Sequence, residues 1–93
     1  MKKRYEWYEY EVWGDEKEGW RVNDIWPTGD EFEIDDEWSR HQLISHLRRH
    51  KFFKRGVREK DVEVEWWEDV IGLSYKGRPE GEFRPLDEEE EEK

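Results

Sequence analysis

The sequence predicts an α+β fold: one antiparallel sheet carrying one helix, in the order ββαβββ. Three observations lead there. Two stretches alternate apolar and charged residues, the period of a half-buried strand. One central stretch has a helix start signal followed by an apolar stripe at helical spacing. Short segments with Gly, Pro or Asp separate the periodic stretches, as turns do.

Residues 4–13 read as the first strand, because Tyr8, Tyr10 and Val12 alternate with Glu9 and Glu11. Residues 14–19, bounded by Gly14 and Gly19, form a polar turn, and 20–26 return with Trp20 and Val22 on one face. Pro27-Thr28-Gly29 is expected to end that strand, since Pro cannot donate to a ladder. Residues 31–34 then read as a short edge strand. Ser39 and Gln42 have capping-box spacing, and Trp38 stands where a staple onto Leu43 would begin, so the helix starts at Arg40. Leu43, Ile44 and Leu47 are its apolar stripe, and Phe52 and Phe53 are expected to fold back on the core. Val62, Val64 and Trp66 alternate with Glu63 and Glu65, Glu68-Asp69 is a tight turn, and Ile71, Leu73 and Tyr75 line the returning strand. Gly77-Arg78-Pro79 reads as a turn, and residues 82–84 as a short last strand. One domain is expected over 1–86, followed by a solvated, disordered acidic tail over 87–93.

The chain has 93 residues, no Cys, 47% charged residues and 16% aromatic residues, seven of them Trp. The charge fraction alone points to disorder, but large aromatic side chains bury enough apolar area to hold a small core. Seventeen Lys plus Arg against one Asn and one Gln resembles a thermophile's composition. The lack of Cys rules out disulfides, thiolate metal sites and a Cys nucleophile. Glutamates interrupt the first ten residues, so no signal-peptide region is expected. No run approaches the roughly 18 apolar residues of a membrane helix. A cytoplasmic protein with no membrane partner is the expectation.

The net charge of −10 is unevenly placed. Residues 1–39 carry −8, residues 40–60 carry +7, and residues 61–93 carry −9. The basic stretch, with Arg48, Arg49, Lys51, Lys54 and Arg55 beside Phe52 and Phe53, could neutralise phosphates and stack bases. The acidic net charge opposes that reading. His46 and His50 share a helix face but lack carboxylate partners nearby, so no metal site is expected. No nucleophile elbow and no phosphate-cradling loop are present, so neither an enzyme nor a cofactor is expected. The tryptophans exceed what a core of this size needs. Neighbours in a strand point to opposite faces, so Trp66 and Trp67 cannot share one core. Surplus aromatics of this kind are favoured interface anchors.

The segments Tyr-Glu-Tyr-Glu-Val (8–12), Gly-Trp-Arg-Val-Asn-Asp-Ile (19–25), Phe-Phe-Lys-Arg-Gly-Val (52–57) and Ser-Tyr-Lys-Gly-Arg-Pro (74–79) resemble small proteins encoded by bacteriophages and prophages. The resemblance implies an accessory protein in the host cytoplasm that binds host machinery, in some cases by mimicking DNA charge. It carries no catalytic residue. The leading expectation is therefore a non-enzymatic binding protein, a phage inhibitor of a host or defence protein. Glu6, Glu9, Glu11, Glu63, Glu65 and Glu82 would supply charge, and Trp7, Trp66 and Trp67 would anchor a protein partner. The alternatives are a nucleic-acid or nucleotide binder using residues 40–60 and a homo-oligomer that buries the surplus Trp.

Overall fold

A computed structural model describes residues 1–86; the tail expected over 87–93 lies outside the described residues. The chain forms one five-stranded antiparallel sheet and one helix, with strands β1 (Lys2–Asp15), β2 (Gly19–Asp35), β3 (Val62–Trp67), β4 (Val70–Tyr75) and β5 (Arg78–Pro85). The helix α1 (Arg40–Arg49) lies between β2 and β3, and a 3₁₀ turn at Glu59–Asp61 leads into β3. Spatially the strands are ordered β2-β1-β5-β4-β3.

Three expectations about the strands need correction. Pro27 does not end β2, and the short edge strand is not separate; one strand runs from Gly19 to Asp35. Pro27 is tolerated because β2 is the sheet's edge and because the β1–β2 register shifts beside it, between Glu6 and Tyr8. The turn expected at Gly77-Arg78-Pro79 is instead the two-residue loop Lys76-Gly77, both with positive φ, between the paired Tyr75 and Arg78. The last strand is longer than 82–84, running from Arg78 to Pro85, and this β5 is the central strand, hydrogen-bonded to both β1 and β4. Its two prolines stand at or near its ends, and its apolar content reduces to Phe83, so periodicity hardly marks it. Gly81 explains how it fits. A Cβ there would collide with the Tyr8 carbonyl oxygen and with the Trp7 ring.

The core lies between α1 and one face of the sheet. It contains Tyr5, Trp7, Ile34, Leu43, Ile44, Leu47, Val62, Ile71, Leu73 and Phe83, with Phe32, Trp38, Phe52, Phe53, Val57, Val64 and Tyr75 packed against it. On β1 the buried parity is thus Tyr5 and Trp7. Tyr8, Tyr10 and Val12, expected to face the core, point to the side of the sheet that α1 does not cover. The alternation is real but its inward face is the other one, because α1 packs on the face that carries Tyr5 and Trp7.

The helix begins as its sequence dictates. The Ser39 side chain accepts from the Gln42 amide and the Gln42 side chain accepts from the Ser39 amide. Trp38 packs on the core cluster with its ring 4.7 Å from that of His46. At the other end the Lys51 amide donates to Arg48 O and the Phe52 amide to Leu47 O, each at 3.0 Å, the paired bonds of a Schellman turn. Lys51 occupies the left-handed position, φ 60°, where Gly is usual. This turn throws Phe52 back onto the core, edge-on to Trp7 at 4.9 Å, and leaves Lys51 exposed.

Candidate interaction surface

β1 and β2 are much longer than the strands beside them. Pairing of β1 with β5 stops at Glu9↔Gly81, whereas pairing of β1 with β2 continues to Asp15↔Gly19. Residues 10–26 therefore project as a two-stranded arm, and the molecule measures 49 × 27 × 22 Å. No residue of the arm is buried. Trp13 is 54% exposed, Val22 42%, Trp26 40% and Ile25 39%.

The β1–β2 register divides the arm's side chains between two faces. Glu9 pairs with Trp26, Glu11 with Asp24 and Trp13 with Arg21, placing these on the face that continues the helix side of the sheet. There Glu11 accepts from Trp13 Nε1 at 3.3 Å and from Asn23 Nδ2 at 3.0 Å. The tip carries Asp15, Glu16 and Glu18 against Lys17, and Asp15 also accepts from the Glu18 amide at 2.8 Å. The arm thus combines exposed indoles with carboxylates and a tip of negative charge.

Where the arm leaves the body, a cleft of about 940 Å³ opens on the helix side. One wall is arm and sheet, with Trp7, Glu9, Thr28 and Asp30; the other is the segment after α1, with Lys51, Phe52, Phe53 and Lys54. The basic stretch divides by role. Arg40 donates to the Val62 carbonyl from Nε at 3.0 Å and from its terminal nitrogen at 2.7 Å, and lies 3.8 Å from Glu59. His41 Nδ1 lies 2.8 Å from Glu59, which holds the Glu59 carboxyl below its ordinary range. Arg48 donates to the Val57 carbonyl at 3.3 Å. Arg49, Lys51, Lys54, Arg55, Arg58 and Lys60 are exposed and form no ion pair among the described residues.

The predicted protein-binding set is scattered. Trp7 is 6% exposed and edge-packed on Phe52 and Phe83, so it is a core residue and not a surface anchor. Glu82 is 7% exposed; it accepts from the Tyr10 hydroxyl and from Arg84 Nε, and Arg84 lies over the Tyr8 ring at 4.4 Å. A central strand places Glu82 under its neighbours, so it offers no free surface charge. Burial and this bond to Glu82 push the Tyr10 hydroxyl's pKa well above its ordinary value. Glu6 is half-buried and accepts from the Gly29 amide at 3.1 Å. Glu9 is exposed at the arm's root and Glu11 is half-buried on it. Glu63, Glu65, Trp66 and Trp67 lie on β3, at the far edge of the sheet from β2. Trp66 is 36% exposed and Trp67 45%, on opposite faces. The Trp67 ring lies over Gly72, where a Cβ would come within 2.7 Å of it.

Sequence reasoning missed Trp13 and Trp26 as anchors. The available signal was length: a hairpin spanning 4–26 set against six-residue strands at 62–67 and 70–75 must overhang them. The neighbouring rings of His46 and His50, 4.5 Å apart, face no third ligand; among the described residues no group of three or more His, Asp or Glu is placed to hold a metal ion. No helix among these residues is long and apolar enough to cross a membrane. The chain matches no family model, no curated protein and no solved structure.

Proposed function

We propose that this chain is a non-catalytic binding protein that engages a basic surface of a protein partner through its acidic, tryptophan-bearing arm. The observation that carries this reading is the exposure of Trp13, Val22, Ile25 and Trp26 on a hairpin without third-strand support. An isolated two-stranded hairpin is marginal in water, so four large apolar side chains left in solvent there point to contact with something else. Glu9, Glu11, Asp15, Glu16, Glu18 and Asp24 give that contact its sign. Trp is among the residues most often found as interface anchors, and carboxylates steer a basic partner. The resemblance to phage-encoded proteins makes a host or defence protein the natural class of partner, with DNA mimicry as the mode.

The test is capture from host lysate with wild type and with Trp13→Ala/Trp26→Ala. A protein held at low salt, released at high salt, displaced by duplex DNA and lost with the variant is the expected result. Capture equal for both proteins, or unchanged by salt, overturns the reading.

A second reading, nucleic acid on residues 48–60, is favoured by the six exposed cations that form no ion pair among the described residues. It predicts oligonucleotide retention at low salt that disappears in Arg49→Glu/Arg55→Glu.

A further inference from the structure

We infer that the outer edge of β3 is a docking site for an extended, basic segment of a partner protein, which adds to the sheet as a further strand beside Val64 and Trp66. The site lies at the opposite edge of the sheet from β2 and does not rest on the reading of the arm.

The ladder comes first. In an antiparallel pair, successive residues turn their backbone groups alternately toward the neighbouring strand and away from it. The phase on β3 is fixed at its start, where the Lys76 amide donates to the Asp61 carbonyl at 2.8 Å. Asp61 thus turns toward β4. So do Glu63, Glu65 and Trp67, because the β3–β4 pairing has no register shift. Val62, Val64 and Trp66 turn outward. Val62 is already served: its amide donates to the Glu59 carbonyl, and Arg40 donates to its carbonyl at 3.0 and 2.7 Å. Among the described residues nothing bonds the amide or the carbonyl of Val64 or of Trp66. These groups have the spacing of a strand, and one added strand meets all of them.

The two edges of the sheet differ in what keeps them from pairing. β2 is interrupted by Pro27 and by two register shifts. β3 has no Pro, no Lys and no shift, so its backbone stays open and side-chain charge selects what approaches. That charge has one sign. Asp61, Glu63, Glu65, Glu68 and Asp69 are the charged residues of 61–69. Glu63 and Glu65 are exposed, and they share a face with Trp67. Arg40 and Lys60 belong to the Val62 end. A second copy pairing edge to edge would set Glu63 and Glu65 against their own kind, and residues 87–92 carry the same sign. A strand with Lys or Arg on the face of Glu63 and Glu65 fits, because opposite charges in cross-strand positions attract. Its other face would carry apolar side chains, meeting half-buried Val64 and Trp66, which is 36% exposed.

Amide exchange and NMR titration of the full chain test this, with a short end-capped peptide alternating lysine and valine as the probe. In the free chain the Val64 and Trp66 amides are expected to exchange fast and those of Glu63 and Glu65 slowly. At low salt the peptide is expected to bind, to protect the Val64 and Trp66 amides, and to lose affinity as salt rises. N-methylation of its valines, whose amides would donate to β3, removes ladder bonds without changing charge and should weaken binding about tenfold. N-methylation of its lysines, whose amides face away, should not. Glu63→Lys/Glu65→Lys is expected to bind the probe about tenfold more weakly and to prefer a peptide alternating glutamate and valine, a gain that also shows the variant is folded. No binding at low salt overturns the docking site. So does binding that methylated valines leave intact, or a charge-reversed variant that does not switch its preference. Val64 and Trp66 amides already protected in the free chain overturn it too, since the edge is then covered.

Discussion

β1 and β2 pass through two environments. Near Tyr5 and Trp7 they lie under the helix layer, β1 is flanked by β5, and the inward Tyr5, Trp7 and Ile34 are nearly inaccessible. From Tyr10 to Trp26 the same two strands continue with the same ladder, yet no residue is buried. Residue type does not make the difference, since Trp7 and Trp13 are identical side chains six positions apart on one strand and one face. What differs is the presence of a third strand and a helix. Apolar alternation therefore says that a strand has an apolar face, but not that anything of its own chain covers that face.

The strongest break of this comparison is truncation at the two indoles. Trp7→Ala is expected to cost about 3–5 kcal/mol by urea unfolding, because it empties a site enclosed by Phe52 and Phe83. Trp13→Ala should stay within about 0.5 kcal/mol, as exposed changes do. Equal losses would mean that the arm is covered in solution. A second contrast pairs two glycines. Gly81→Ala puts a methyl onto the Tyr8 backbone and the Trp7 ring and is expected to cost about 1–3 kcal/mol by overpacking. Gly19→Ala at the arm's tip meets nothing within 4 Å and loses stability only through its φ of +98°, about 1 kcal/mol.

The junction between arm and body gives a third test. Tyr10→Phe removes the hydroxyl that donates to Glu82, and a loss of about 1–2 kcal/mol is expected at neutral pH. The raised Tyr10 pKa adds a sign: its contribution is fully present below the unfolded value of about 10 and declines as pH rises beyond it. Wild type should therefore lose more stability than Tyr10→Phe in strong alkali. The smallest effect concerns α1. Burial, followed by the nearby charges of His50 and Arg49, lowers the pKa of His46. A depressed imidazole leaves the unfolded state binding more protons as pH falls. Its stabilisation is present above about pH 6.5 and lost below that. The Tm of His46→Gln should fall less than that of wild type between about pH 7.5 and about pH 5.5.

Much of the body was legible in the sequence because its signals are local. The Ser39–Gln42 box, the Leu43-Ile44-Leu47 stripe and the Glu68-Asp69 turn depend on residues within one turn of each other. β5 was poorly legible because its place depends on a glycine allowing close approach and on neighbours from β1 and β4. The candidate surface was legible in kind, as surplus Trp among carboxylates, but not in membership. Trp7 and Glu82 lie on strands whose inward face and central position only the assembled sheet defines.

By itself the sequence determined the class of fold, the start of the helix, the basic segment between two acidic ones and the excess of indoles over core. Periodicity, capping and charge need no long-range information. The tertiary structure alone decided that Trp7 is core and Trp13 is not, that Pro27 can sit within a strand, and that Lys51 and Glu9 line one cleft. Each of these depends on which element lies alongside, and strand pairing between residues as distant as Trp7 and Phe83 is set by the packing of the whole sheet rather than by either segment.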